Sequence, residues 1–108
     1  MTPEAKVKAK IHKRLKDAGA YAVNYIGGAY ANNGTPDILV CLDGRFIAIE
    51  AKAGRGKPTA LQIINLRRIH EAGGVAMVIN EKNLHLLDDL PSMCSNYKEW
   101  ERDESVDV

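Results

Sequence analysis

At 108 residues, the chain is long enough for one domain with a single modest core. Its content of 45% hydrophobic and 27% charged residues is typical of a folded globular domain and excludes an intrinsically disordered chain. No apolar run reaches the length of a membrane span, and the basic N-terminal region lacks the apolar segment of a secretory signal.

The two cysteines, Cys41 and Cys94, are too few for a disulfide framework or a zinc cluster. Cys41 lies within an apolar segment, so we expect its thiol to be buried. A buried free thiol indicates a protein of the reducing cytoplasm.

The net charge of +1 hides an asymmetry along the chain. Residues 1–87 contain 13 Lys or Arg and 7 Asp or Glu, a net charge of +6, whereas residues 88–108 contain 2 and 7, a net charge of −5. A basic body suits a polyanionic partner, and an acidic tail could tune solubility or non-specific binding. Scattered surface charge is the alternative. We divide the chain into a domain at 1–90 and an acidic C-terminal tail at 91–108, which we expect to be mobile.

The first predicted element is a helix that begins at Pro3 with Thr2 as N-cap and ends near Ala18, before Gly19. Its apolar residues fall on one stripe at helical spacing: Val7, Ile11, Leu15 and Ala18. Glu4 falls on the same stripe, one turn before Val7. Its carboxylate either stabilises the positive end of the helix or faces inward as part of a site.

Lysines occupy the rest of this helix, among them Lys6, Lys10 and Lys13. They form either an ordinary solvated face or a surface that contacts nucleic-acid phosphates. Helical spacing alone leaves both interpretations open.

Residues 21–26 have the composition of a short strand, and residues 27–34 form a loop rich in Gly and Asn. A loop of this kind beside a site often lines the substrate cleft. Pro36 then favours the start of a second strand, where a missing N–H is tolerated.

Two apolar runs flank the pair Asp43-Gly44, which is the strongest short-range signal for a two-residue hairpin with a type I′ turn. In such a hairpin Leu39 faces Ala48, and Asp37 faces Glu50. Side chains directly opposite on one face have Cβ atoms about 4.5–5.5 Å apart. The hairpin therefore places two carboxylates side by side.

Like charges in this position destabilise a sheet, so a positive group is expected between or beside them. Lys52 lies two residues beyond Glu50 and thus on the same face of the strand. A divalent cation with oxygen ligands would also neutralise the pair. The alternative is a surface hairpin that carries charge at its end.

A basic loop with Arg55 and Lys57 follows the hairpin, in a position that suits contact with a phosphate backbone. The sequence Thr59-Ala60-Leu61-Gln62 then has the form of a capping box and predicts a second helix to about Ala72. In this interpretation Gln62 caps the helix.

Residues 75–79 are continuously apolar, which predicts a strand buried on both faces and parallel to the second hairpin strand. After it, either a short helix runs from Asn80 to Leu90 or residues 84–87 form an edge strand.

The motif from Asp37 to Glu50-Ala51-Lys52 resembles that of the PD-(D/E)XK nuclease superfamily, and further blocks resemble its VRR-NUC branch. These blocks are Gly34-Thr35-Pro36-Asp37, the run 43–52, Gly56-Lys57-Pro58-Thr59 with Gln62, and Ala72-Gly73-Gly74-Val75-Ala76. The resemblance covers roughly residues 3–90. The chain departs from the VRR-NUC pattern in the loop before Asp37, which is short and lacks the arginines often found there. This difference affects the expected mode of substrate capture more than the expected chemistry.

The resemblance implies a restriction endonuclease-like α/β fold, with a central mixed sheet of about four strands flanked by helices in the order αβββαβ. It implies that Asp37, Glu50 and the carbonyl of Ala51 bind Mg²⁺ or Mn²⁺. Lys52 would orient or help to deprotonate the attacking water, while Glu4 and Gln62 would join the site. Gln62 thus has a catalytic interpretation beside its capping one.

The resulting hypothesis is a metal-dependent DNA endonuclease of phage or bacterial type. Related stand-alone domains act on branched DNA such as Holliday junctions, commonly as homodimers. Two other hypotheses remain: a DNA-binding module that has lost activity, and a restriction-type nuclease with a fixed recognition sequence. The second would need base-reading insertions for which this chain has little room.

Overall fold

The computed structural model describes residues 1–27, 34–89 and 92–101. Helix α1 spans Pro3–Asp17, strand β1 Tyr21–Asn24, strand β2 Ile38–Leu42, strand β3 Arg45–Ala51, helix α2 Ala60–Glu71 and strand β4 Val75–Ile79. Two short 3₁₀ helices follow, at Leu84–Asp88 and Tyr97–Trp100. The strands form one sheet in the order β1-β2-β3-β4. Most of the loop predicted at 27–34 lies outside the described residues.

The start of α1 is the one expected from its sequence. The Thr2 hydroxyl accepts a hydrogen bond from the Ala5 N–H at 3.1 Å, and Pro3 begins the helix. The stripe of Val7, Ile11 and Leu15 is buried against the sheet. The first helix is therefore confirmed, with its end at Asp17.

The hairpin has the predicted turn and register. Asp43 and Gly44 both have positive φ, at 50° and 76°, as a type I′ turn requires. Leu42 pairs with Arg45 and Leu39 with Ala48 in the antiparallel β2–β3 ladder. Strand β4 lies parallel to β3, as predicted, and all five of its residues are buried.

The two faces of the sheet carry separate parts of the core. Helix α1 covers the face that carries Ile38, Val40, Ile47 and Ile49. Helix α2 packs on the opposite face, where Ile63 and Leu66 meet Ala76, Val78 and Tyr97. A sheet with a helix on each face leaves its strand ends open for polar groups, and the acidic residues lie there.

The expected burial of Cys41 is wrong, because its thiol is exposed. Cys41 points to the α2 face, but α2 packs over β3 and β4 and leaves the β1 side of that face uncovered. The partners of Cys41 across the strands, Tyr21 and Phe46, are exposed as well. An apolar strand composition did not reveal which side of the sheet the helix would cover.

The segment after β4 also differs from expectation. A 3₁₀ helix at Leu84–Asp88 replaces both the helix from Asn80 and the edge strand. The Asn80 side chain accepts a hydrogen bond from the Lys82 N–H at 2.9 Å, so Asn80 forms a local turn before that helix. Leu84 and Leu87 are buried against the core.

Residues 92–101 are packed, so the mobile tail expected from Pro91 is wrong for this part of the chain. Asn96 is buried beside β4, where its side chain accepts from the Val78 N–H at 2.7 Å and donates to the Val78 carbonyl at 3.0 Å. The Asn96 N–H donates to the Ala76 carbonyl at 3.1 Å. Arg45 donates to the Met93 carbonyl at 2.7 Å. This segment thus covers the outer edge of the sheet.

Within the described ranges, no helix combines the length and the apolar character that a membrane crossing needs.

We expect Asn96→Ala to lower the free energy of unfolding by about 1–3 kcal/mol, because it leaves the buried Val78 N–H without its acceptor. Urea titration of the variant, with Lys98→Ala as a control on the exposed side of the same segment, measures this. A loss no larger than that of the control would show that residues 92–101 do not stabilise the sheet edge.

Candidate active site

Three carboxylates from three elements meet at one end of the sheet. Glu4 lies in the first turn of α1, Asp37 directly precedes β2, and Glu50 is near the end of β3. One oxygen from each of these side chains lies within 4.8 Å of the other two. Extending the β2–β3 register by one residue beyond Ile38 and Ile49 puts Asp37 opposite Glu50, as the hairpin arithmetic predicted.

Backbone groups hold Asp37 in place. Its Oδ2 atom accepts a hydrogen bond from the Ala51 N–H at 3.0 Å, and its carbonyl accepts from the Tyr25 N–H at 2.7 Å. Asp37 is therefore joined to the strands on both sides of it, which fixes the direction of its carboxylate.

Gly34 allows the segment before Asp37 to approach α2. Gly34 has a φ of +82°, and a Cβ atom there would lie 2.9 Å from the Leu61 carbonyl oxygen and from the Asn65 Nδ2 atom. Only glycine fits this approach and this backbone conformation without strain. The close contact places the start of the segment that leads to Asp37 against Leu61 and Asn65 of α2.

Glu50 is the most constrained of the three acids, with only 1% of the residue exposed. Its Oε2 atom accepts from the Gln62 Nε2 atom at 3.2 Å and lies 3.5 Å from the Lys52 Nζ atom. Its Oε1 atom is buried and has no hydrogen-bond partner among the described residues. A buried polar atom in this condition calls for a proton, a water or a cation.

The pKa of Glu50 reflects this environment. Burial, and after it the negative charge of the nearby Asp37 carboxylate, raise this pKa from 4.5 to about 8. Lys52 acts in the opposite direction, through its charge and its hydrogen bond. The positive charge of Lys52 is therefore not enough to offset the burial of Glu50 and the repulsion from Asp37.

Gln62 makes both of the contacts that its two interpretations require. Its side-chain oxygen accepts from the Thr59 N–H at 2.8 Å, and the Thr59 hydroxyl accepts from the Gln62 N–H at 3.2 Å, which completes the capping box. Its side-chain nitrogen donates to Glu50 at the same time. The helix cap and the site contact are therefore the two ends of one amide group.

The predicted phosphate-binding residues lie in two places. Arg55 and Lys57 are exposed in the loop that follows β3, a few residues after Lys52. Lys6, Lys10 and Lys13 are exposed on α1, on the side turned away from Glu4 at about 100° per residue, and Lys13 pairs with Asp17. The structure does not bring these three lysines to the carboxylates.

Lys8 is a site residue that the sequence interpretation missed. Its Nζ atom lies 3.6 Å from the Asp37 Oδ1 atom. Lys8 follows Glu4 by four residues, which is about one helical turn, so the two side chains share a face. That spacing was the available signal.

The donor set fits a hard divalent cation. Mg²⁺ and Mn²⁺ prefer carboxylate and carbonyl oxygens, and Asp37 and Glu50 supply them on adjacent strands, with the Oε1 atom of Glu50 unpartnered. Ala51 is fully buried and its N–H holds Asp37. The predicted role of its carbonyl as a ligand stays a prediction.

The fold is similar to those of two solved structures. A VRR_NUC domain superposes with a TM-score of 0.66 and 24% identity, over 82% of this chain and 96% of the other. Hjc, a Holliday junction resolvase of the archaeal hyperthermophile Archaeoglobus fulgidus, superposes with a TM-score of 0.57 and 21% identity, over 70% of this chain and 66% of the other. Neither protein-family models nor curated protein sequences match this chain. The predicted α/β fold is thereby confirmed.

We expect the metal-free protein to lose stability as the pH rises from about 5 to 8, in part through Glu50. Its pKa in the folded state, about 8, lies above its ordinary value of 4.5, so between these values the native state holds a proton that the unfolded chain releases. One such proton contributes at most about 1.4 kcal/mol per pH unit. Glu50→Gln removes this contribution and is expected to be more stable than the wild type at pH 8.

Urea titrations at several pH values in the presence of a chelator measure the difference, with the exposed Glu99→Gln as the matched control. Parallel stability profiles for wild type and Glu50→Gln would contradict the raised pKa.

Proposed function

We propose that this protein is a metal-dependent endonuclease that hydrolyses phosphodiester bonds in DNA. The observation that carries the proposal is the meeting of Glu4, Asp37 and Glu50 at one sheet end, with Lys52 and Gln62 in contact with Glu50. The similarity of the fold to a VRR_NUC domain and to a Holliday junction resolvase supports it.

Asp37 and Glu50, with the Ala51 carbonyl, would hold Mg²⁺ or Mn²⁺. When bound, such a cation activates water at neutral pH and offsets the negative charge that develops on a phosphoryl oxygen. Burial raises the pKa of Glu50 and so favours its neutral form, whereas a cation bound beside it would favour the ionised form.

The surrounding side chains have distinct roles in this proposal. Lys52 lies beside Glu50, where its ammonium can orient the attacking water, take part in its deprotonation and stabilise the charged transition state. Gln62 holds the Glu50 carboxylate in one orientation through its amide N–H. Glu4 adds a third acidic group from α1.

We infer that the substrate is branched DNA such as a Holliday junction and that the protein acts as a homodimer. Arg55 and Lys57 are exposed beyond Lys52, in a position to contact the phosphate backbone. A chain this short presents little surface to a long duplex, and two sites in a symmetric dimer would suit paired cuts.

We also infer that it acts in the cytoplasm of a bacterial cell or of a phage-infected host. Both cysteines are free thiols, which supports a reducing compartment.

Cleavage of labelled four-way junction, flap and linear duplex DNA with Mg²⁺, Mn²⁺ or chelator tests the proposal. We expect metal-dependent cutting with a preference for the junction. Asp37→Asn and Lys52→Ala are each expected to lower the rate by about 100-fold or more, because they remove a metal ligand and a charge at the reacting phosphate.

Asp89→Asn and Lys98→Ala are the matched controls on the exposed surface. The absence of metal-dependent cutting by folded wild-type protein would contradict the enzymatic proposal and favour a binding module. Undiminished cutting by Asp37→Asn or Lys52→Ala would instead refute the assignment of the site. Equal cutting of linear and branched DNA, limited to one sequence, would favour a restriction-type nuclease.

Gln62→Glu separates the capping role of this residue from its role in the site. A glutamate keeps the acceptor that the capping box needs but loses the N–H donated to Glu50. We expect unchanged helix content and a loss of cleavage rate of about tenfold or more. Thr59→Ala removes the cap alone and is expected to cost about 1 kcal/mol of stability with little change in the cleavage rate. An unchanged cleavage rate in Gln62→Glu would show that Gln62 is only a helix cap.

A further inference from the structure

Lys8 stands apart from the other lysines of α1. It lies about 40° around the helix from Glu4, at the border of the buried stripe, and its side chain is 36% exposed. The side chain of Lys13, which forms an ordinary surface pair with Asp17, is 77% exposed. Lys8 therefore extends along the protein toward the carboxylates, with its apolar stem partly covered and its ammonium at the site.

Lys8 and Lys52 contact different carboxylates of the cluster. Lys8 lies 3.6 Å from Asp37 Oδ1, and Lys52 lies 3.5 Å from Glu50 Oε2. The Oδ2 atom of Asp37 is already bonded to the Ala51 N–H. The ammonium of Lys8 thus lies at the Asp37 oxygen that is left for a cation.

The site becomes more positive when a cation binds. A divalent cation adds two positive charges to a cluster that already holds the ammonium groups of Lys8 and Lys52. A cation on Asp37 also repels the nearby ammonium of Lys8, which can move because its four-carbon stem is flexible. A phosphodiester is the anion that would then satisfy both positive groups.

We propose that Lys8 is a phosphate-binding residue of this site, which pairs with Asp37 in the metal-free protein and contacts a non-bridging oxygen of the DNA phosphodiester once a cation occupies Asp37. The inference rests on the proposed nuclease function and assigns to it a second lysine, which contacts a different carboxylate from Lys52. It adds a group that touches the substrate from helix α1.

Two measurements on Lys8→Met test whether Lys8 leaves Asp37 for a DNA phosphate when a cation binds. Lys16→Met is the control at an exposed position of the same helix. The first is the affinity for Mn²⁺ without DNA, measured by calorimetry. We expect Lys8→Met to bind Mn²⁺ about two- to fivefold more tightly than the wild type, because a partly exposed competing charge has been removed.

The second measurement is the affinity for four-way junction DNA with Ca²⁺ at several salt concentrations, together with KM and kcat in Mg²⁺. Losing one phosphate contact is expected to lower the slope of log Kd against log salt by about 0.7–0.9 and to raise KM. Lys8→Arg, which keeps the charge, is expected to restore both. Lys8→Gln, which keeps a polar side chain of similar reach, is the second neutral variant if Lys8→Met folds poorly.

The outcomes distinguish a failure of the proposed nuclease function from a failure of the role proposed for Lys8. If the wild type binds Mn²⁺ but neither binds nor cuts DNA, the proposed function and this inference both fail. If the wild type binds and cuts DNA while the Lys8 variants match Lys16→Met in salt slope and KM, only the inference fails. If Lys8→Met binds Mn²⁺ more tightly but binds DNA as the wild type does, Lys8 only neutralises Asp37. That result would also contradict the proposed phosphate contact.

Discussion

The opposition of Asp37 and Glu50 across the end of the β2–β3 hairpin is the interaction on which the rest of the site depends. Two carboxylates in this position repel each other, and burial makes the repulsion more costly for Glu50. The protein retains the pair and surrounds it with positive and donor groups: Lys52, Lys8 and the Gln62 amide. One buried oxygen of Glu50 nevertheless has no partner in the described structure. The hairpin is thus built to be completed by a further positive charge.

The layers of the fold serve this arrangement. Helix α1 covers one face of the sheet and helix α2 the other, so their first turns bring Glu4 and Gln62 to the same sheet end from opposite sides. The close approach of Gly34 to α2 sets the segment that carries Asp37, and the parallel pairing of β3 with β4 holds the strand that carries Glu50. The site is therefore a product of several tertiary contacts, although its two central acids come from one local hairpin.

Local signals predicted the parts of this structure that short-range chemistry determines. The Asp43-Gly44 turn sets the register of β2 and β3, and the capping residues Thr2 and Thr59 mark where both helices begin. The predictions that were wrong concern contacts between residues far apart in the sequence. Cys41 is exposed because α2 covers only part of its face, and residues 92–101 are ordered because Asn96 bonds to the edge of β4. The spacing of apolar residues in the sequence predicts neither the exposure of Cys41 nor the packing of residues 92–101.

The central claim is that the carboxylate cluster is a divalent metal site. Crystals of the wild type and of Asp37→Asn soaked in Mn²⁺ test it most directly, through the anomalous scattering of manganese. We expect an anomalous peak between Asp37 and Glu50 in the wild type and its loss in the variant, since one ligand has been removed. A wild-type crystal with manganese bound elsewhere and none at this cluster would contradict the claim.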